Sequence, residues 1–169
     1  MNSREEPAPF AEDAQAADDK TLRLSSIDVA PADVDAFIRY QRALRDELEF
    51  SPVCRAGWAE HLAEAHRRAL EESGLEPSRH ARISPLAQDF AGRRMAVRRL
   101  RRRLEEVRAR NGAASESEQV TKLADELQRL DAFDALERRH GARAIAALRD
   151  REEELVTLHE HVSPLLARS

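Results

Sequence analysis

Apolar residues recur every three or four positions along most of this chain of 169 residues, and this spacing predicts α-helices. Alternation with a period of two, the pattern of a half-buried strand, occurs only briefly, at Leu22 and Leu24. The composition agrees, because Ala, Leu, Glu, Arg and Lys make up 96 residues whereas Val, Ile and Thr make up 15. The sequence therefore predicts an all-α fold and excludes β-sandwiches, barrels and doubly wound α/β enzymes.

Residues 1–30 are predicted to lie outside the helical domain. Their first part is rich in Ala, Pro, Asp and Glu and has one aromatic residue, Phe10, so we expect a disordered acidic tail. From Thr21 onward no second strand is available for pairing, and we expect an extended arm that lies on the helices. Residues 31–169 are expected to form a single helical domain.

Residues 31–74 are predicted to form a short helical hairpin. A proline at the first helical position opens its first helix, and the apolar spacing continues to about Phe50. Ser51, followed by proline, is a favourable N-cap and predicts the start of the second helix. Gly74 is the residue type favoured just after a helix and predicts its end.

Residues 76–166 are predicted to form a longer, coiled-coil-like hairpin, which would make the bundle elongated or irregular. Pro85 lies within its first segment and is expected to kink the helix rather than to end it. A loop over residues 111–117 separates the two arms. In the second arm Gly141 is expected to break the helix, and Pro164 is expected to close it.

The strongest chemical feature is the basic segment, Arg93 to Arg110, which holds nine arginines and two glutamates. Clustered arginines are typical of surfaces that bind nucleic acid. Residues 116–137, however, hold seven acids and two bases, so an antiparallel pairing of the two stretches would neutralise the arginines within the fold. The basic segment also lacks aromatic residues on which bases stack. We therefore expect mainly internal pairing. The candidate face for an anion or an acidic partner consists of Arg94, Arg98, Arg101 and Arg102.

No catalytic, metal or cofactor site is predicted. The two closest pairs of histidines are five and two residues apart, and neither spacing places two imidazoles on one helical face. The single Glu-x-x-His sequence, from Glu137 to His140, lacks the second copy that a di-iron bundle requires. The one cysteine, Cys54, allows no internal disulfide and is interpreted as a small buried residue.

The sequence predicts a non-enzymatic helical interaction protein, an adaptor or structural component, that binds a protein partner or associates with itself. Trp58 is a candidate aromatic anchor for a partner, although packing between the first two helices explains it more simply. The alternative is a module that binds nucleic acid or an anionic membrane through the basic segment, and a helical metalloprotein is a third hypothesis. No apolar run reaches the length of a membrane span, and no secretory signal begins the sequence, so a cytoplasmic location is expected.

Overall fold

The computed structural model describes residues 28–49, 57–111 and 118–167. Within these ranges the chain forms seven α-helices and no strand, so the all-α prediction is confirmed. The helices are α1 (Pro31–Glu49), α2 (Trp58–Ser73), α3 (Pro77–Asn111), α4 (Glu118–Asp131), α5 (Asp134–His140), α6 (Ala142–Arg149) and α7 (Glu152–Leu166). None of them is both long and apolar enough to cross a membrane. The predicted acidic tail, most of the predicted arm, the Ser51 start and Cys54 lie outside the described residues.

One apolar core joins every described helix except α4. Helix α1 packs against α2 on one side and α7 on another, and α3 also packs against α7. Among the fully buried side chains are Leu48 of α1, Phe90 of α3 and Ile145 of α6. Val29, just before α1, is also buried in this core. The last residues of the predicted arm therefore hold one side chain against the bundle.

The second half of α3 and all of α4 form an antiparallel pair, the α3–α4 hairpin, with a small core of its own. Leu104 of α3 is buried with Val120 and Leu123 of α4, and Leu100 and Leu127 are half-buried beside them. Late residues of α3 thus meet early residues of α4. This part of the molecule is two helices thick, so each helix keeps an exposed side.

Both prolines that were expected to disturb helices lie inside them. Helix α3 continues through Pro85, and the nearby Ala81 carbonyl, which loses its usual N–H partner, belongs to an exposed residue that water reaches. Helix α7 continues through Pro164 to Leu166, so the prediction that this proline closes the helix was wrong. Its i−4 residue, Glu160, is likewise exposed.

Glycine marks two of the helix ends. Gly74 follows α2 with φ of +66°, and Gly141 separates α5 from α6 with φ of +90°, values that other residues rarely adopt. Both predicted positions are confirmed. Two further breaks, at residues 132–133 and 150–151, carry neither glycine nor proline and were not predicted. At the first, the ring of Phe133 stacks on Phe90 of the core, with centroids 6.1 Å apart.

Candidate functional site

Arg94, the first of the candidate arginines, is the buried centre of an ion-pair network. Its side chain is 8% exposed, Nη1 donates to Oδ1 of Asp131 at 2.5 Å, and Nε donates to Oε1 of Glu152 at 2.8 Å. The guanidinium carbon lies 5.0 Å from the centroid of the Phe133 ring. These contacts tie α3 to the end of α4 and the start of α7, so this charge is used within the fold.

The pair also sets the protonation of its own members. The hydrogen bond from Arg94, supported by one from Arg101, lowers the pKa of Asp131 below its ordinary value. Burial alone lowers the pKa of Arg94, but the hydrogen bonds to Asp131 and Glu152 outweigh burial and the pKa lies above its ordinary value. Arg94 and Asp131 are therefore both charged at neutral pH.

Two other candidate arginines also have carboxylate partners. Arg98 donates to Oε2 of Glu153 at 2.6 Å, and Arg101 donates to Oδ2 of Asp131 at 2.5 Å. Only Asp131 among these partners belongs to the acidic stretch after the loop, because Glu153 lies at the start of α7. Internal pairing is thus present in the geometry, but two of the carboxylates come from a helix that sequence reasoning did not consider.

Arg93, the first residue of the basic segment, binds backbone rather than carboxylate. Its Nε donates to the carbonyl of Leu130 at 2.8 Å, and its Nη2 donates to the carbonyls of Arg129 and Ala132 at 2.9 Å each. The last carbonyls of a helix have no partner within the helix and carry partial negative charge. Arg93 therefore caps the C-terminus of α4.

The remaining five arginines of the basic segment reach no described carboxylate within 4.0 Å. They are Arg99, Arg102, Arg103, Arg108 and Arg110. Helical periodicity places Arg99, Arg103 and Arg110 on one side of α3, away from the ion-paired side. Of the four candidates from sequence, only Arg102 thus keeps a charge that no described carboxylate pairs.

An open groove of about 520 Å³, the hairpin groove, runs along this free side of α3. It lies between α3, α4 and one side of α7. Its apolar lining is Met95, Ala96, Leu100 and Leu130, while Arg99 and Glu126 supply charge from α3 and α4, and Gly92, His159 and Ser163 complete it. Neither Arg99 nor Glu126 is ion-paired with a described residue.

One end of the hairpin groove is formed by His159 of α7. Its half-buried position lowers the pKa of its imidazole, which favours the neutral ring at neutral pH. A Cβ placed on Gly92 would lie 3.9 Å from the imidazole Nε2, so the ring sits directly against the glycine of α3. The groove therefore presents a neutral imidazole at one end and separate opposite charges farther along.

Trp58, the candidate aromatic anchor, lies in the main core and is 8% exposed. Because the ring is buried between the helices, neither of its faces is open to a partner. The geometry therefore fits the interpretation of Trp58 as a packing residue and does not fit a role as an anchor. The indole Nε1 of Trp58 and Nε2 of the adjacent His61 are buried and find no hydrogen-bond partner among the described residues. The two ring centroids are 5.8 Å apart.

Sequence reasoning missed a cluster of three rings from three helices. The hydroxyl of Tyr40 in α1 lies 2.8 Å from Nδ1 of His66 in α2. The ring centroid of His80 in α3 is 4.4 Å from that of Tyr40 and 4.8 Å from that of His66. Burial raises the pKa of Tyr40 to about 12, and burial followed by the charge of His66 lowers the pKa of His80.

This ring cluster packs α1, α2 and α3 together. No signal in the sequence joins the three residues, since they are 26 and 14 positions apart and only the packing of the helices brings them into contact. Across the described ranges, no group of three or more His, Cys, Asp and Glu residues is arranged to hold a metal ion.

Comparison of the chain with protein-family models, with curated proteins and with solved structures finds no significant match. The geometry itself presents two features that the fold leaves open, the free arginines of α3 and the hairpin groove beside them. Of these arginines, Arg99, Arg103 and Arg110 lie on the same side of α3 as the groove.

Proposed function

We propose that this chain is a non-enzymatic helical interaction protein that binds a protein partner through the hairpin groove. The observation that carries this proposal is the apolar lining of the groove between Arg99 and Glu126, two charges that no described residue pairs. Protein interfaces combine an apolar centre with a polar rim, and arginine is enriched in them. A partner that covers the groove would bury Met95 and Leu100 and could pair both charges.

The surrounding structure supports a rigid recognition surface. Arg93 and Arg94 fix the end of α4 against α3, and Arg94 also fixes the start of α7. Contacts of α3 with both other helices therefore hold the three helices that line the groove. A preformed surface loses little conformational entropy on binding, which favours affinity.

A second candidate function is binding of nucleic acid or of an anionic membrane through the free arginines. The observation in its favour is the spacing of Arg99, Arg102 and Arg103, all without a described carboxylate partner. Against it, Glu105 and Glu106 lie on the same helix, and Glu126 lies across the groove. A mixed-charge surface offers phosphates less counterion release than a uniformly basic one.

Fluorescence anisotropy with a labelled 20-base-pair DNA, at low and at physiological salt, separates the two candidates. We expect at most weak binding that physiological salt abolishes. Pelleting with vesicles that contain phosphatidylserine tests the membrane form in the same way. Micromolar binding at physiological salt that is lost in the Arg102→Glu and Arg103→Glu variants would support the second candidate instead.

The protein-binding proposal is tested by photo-cross-linking in the cells from which the chain derives. A benzophenone amino acid replaces Met95, which lines the groove, or Thr121, an exposed residue on the outer side of α4. We expect a discrete protein adduct from position 95 that disappears when Arg99→Glu is added, and none from position 121. Equal adducts from both positions, or none from position 95, would contradict the proposal.

A further inference from the structure

We propose that the partner in the hairpin groove is a second copy of this chain, and that Arg99 of each copy pairs with Glu126 of the other. This inference rests on the proposed function and specifies the partner. The main reason is self-complementarity: one surface carries a base on α3 and an acid on α4, and neither has an ion-pair partner among the described residues. A two-fold symmetric contact uses the same surface twice, so each charge meets its opposite.

The antiparallel geometry of the hairpin places Arg99 and Glu126 at the same position along the helix axes. Arg93 of α3 contacts Leu130 of α4, and Leu104 packs with Leu123, so Arg99 lies level with residues near 126. Consider a two-fold axis that runs parallel to the helices and lies in the plane between the two copies. Rotation about this axis leaves the position of each residue along the helix direction unchanged and exchanges the α3 side of the face with the α4 side. It therefore places α3 of one copy over α4 of the other, with Arg99 opposite Glu126 on both sides.

The same arrangement would supply the packing that the hairpin lacks. Four antiparallel helices that share an apolar centre form a stable bundle. In a pair of helices, by contrast, part of the apolar face of each helix stays exposed to water. Leu100 and Leu127 belong to the small core of the hairpin and are half-buried. Together with Met95, Ala96 and Leu130 of the groove, they would become the centre of the four-helix contact.

The small size of the surface favours a weak, reversible contact. Helix α4 has 14 residues. At 1.5 Å per residue it is about 21 Å long, and two adjacent helices present a face about 20 Å wide. The two copies together would bury on the order of 800 Å², which is less than stable interfaces bury and is in the range of weak, transient contacts. We therefore expect a reversible dimer with a dissociation constant in the micromolar range.

Sedimentation velocity of the purified full chain, over about 2 to 500 µM, tests this proposal against the affinities expected for so small an interface. We expect a monomer–dimer equilibrium for the unaltered chain. Arg99→Glu and Glu126→Arg each place like charges opposite each other and should weaken the dimer at least tenfold. The double variant restores opposite charges and should recover most of the affinity.

Arg108→Glu is the matched control for these reversals. Arg108 is an exposed arginine of the same helix that no described carboxylate pairs, and nine residues place it on the opposite side from Arg99. It should leave dimerisation unchanged. Circular dichroism of every variant establishes that the helices are intact before association is compared.

Several outcomes would overturn the inference. A chain that stays monomeric at about 500 µM, or a dimer that survives both single reversals, excludes this contact as the site of association. A benzophenone at position 95 of the purified chain that reacts with residues 1–27 of its own molecule would show that this segment occupies the groove. If the purified chain is monomeric but position 95 gives an adduct with another protein in cells, the dimer fails while the proposed function stands.

Discussion

Arg94 and Arg99 are five residues apart on one helix and lie in different surroundings. Arg94 is enclosed by Asp131, Glu152 and the ring of Phe133, whereas Arg99 borders an open groove and has no described ion-pair partner. The difference follows from helical geometry, because five residues rotate the side chain by about 140° around the axis. Residue type alone therefore does not predict the role of an arginine in the basic segment.

His80 is expected to make stability depend on pH. Since its pKa is lowered in the folded protein, the unfolded chain binds the proton more tightly. The free energy of unfolding should be insensitive to this group above its ordinary pKa of 6.5 and should fall as pH decreases below it. His159 acts in the same direction. Asp131 has a lowered pKa, so its contribution is lost only at pH values below its ordinary 3.8.

Urea unfolding between about pH 7.5 and pH 5.5 measures the histidine effect separately from the carboxylates. The His80→Asn variant should lose part of the decrease in the free energy of unfolding over this interval. His161→Asn, at an exposed histidine of α7, is the control and should retain the full decrease. Equal decreases in both variants would show that His80 does not titrate differently in the folded and unfolded states.

At the scale of the helix, replacing two glycines by alanine should change the stability of the protein in opposite directions. Gly141 has φ of +90° between α5 and α6, so Gly141→Ala should lower the free energy of unfolding by about 1–3 kcal/mol. Gly92 lies inside α3 with ordinary contact distances, so Gly92→Ala should raise it by about 0.5–1 kcal/mol. Urea unfolding of the two variants measures both changes. Changes of the same sign would contradict the backbone conformations described for Gly92 and Gly141.

The cap that Arg93 provides should hold the last turn of α4 in place. Replacing Arg93 with Gln removes three donors to the carbonyls of Arg129, Leu130 and Ala132. We expect amide exchange in that turn to accelerate about tenfold, which corresponds to about 1.4 kcal/mol of local stability. Hydrogen–deuterium exchange measures it, with Arg99→Gln as control. Unchanged exchange in the Arg93 variant would mean that the turn is held by packing alone.

The helices could be predicted from sequence because their signals are local. Apolar spacing indicated the segments, and Gly74 and Gly141 marked ends that require positive φ. The break at Phe133 could not be predicted, since no glycine or proline marks it and its ring contact with Phe90 of another helix is long-range. The prediction for Pro164 was wrong for a related reason. A proline near a helix end destabilises the helix only slightly where the carbonyl that loses its hydrogen bond is exposed to water.

The candidate site could be predicted only as a segment, not as a surface. Charge counting identified the basic helix and the expectation of internal pairing. Which arginines are paired depends on Glu152 and Glu153, more than 50 residues away, and on the way α7 packs against α3. The Tyr40–His66 hydrogen bond joins separate helices in the same manner. Long-range contacts of this kind follow from the packing of elements, which local patterns do not specify.

At the scale of the whole molecule, the main core and the surface that we propose for recognition lie in different parts. The main core unites every described helix except α4, and it holds most of the buried side chains. The α3–α4 hairpin is attached to that core through Arg93, Arg94 and Phe133 and keeps one side open.

The division of the α3 arginines between fold and surface is tested most directly by urea unfolding of single Arg→Ala variants along the helix. Removal of Arg93 or Arg94 should lower the free energy of unfolding by about 2–3 kcal/mol, because buried or capping contacts are lost. Arg98→Ala and Arg101→Ala, which break exposed pairs, should cost about 0.2–1 kcal/mol. Measured at concentrations where the chain is monomeric, Arg99→Ala, Arg102→Ala and Arg103→Ala should change stability by less than about 0.5 kcal/mol. Similar losses at all seven positions would contradict this division.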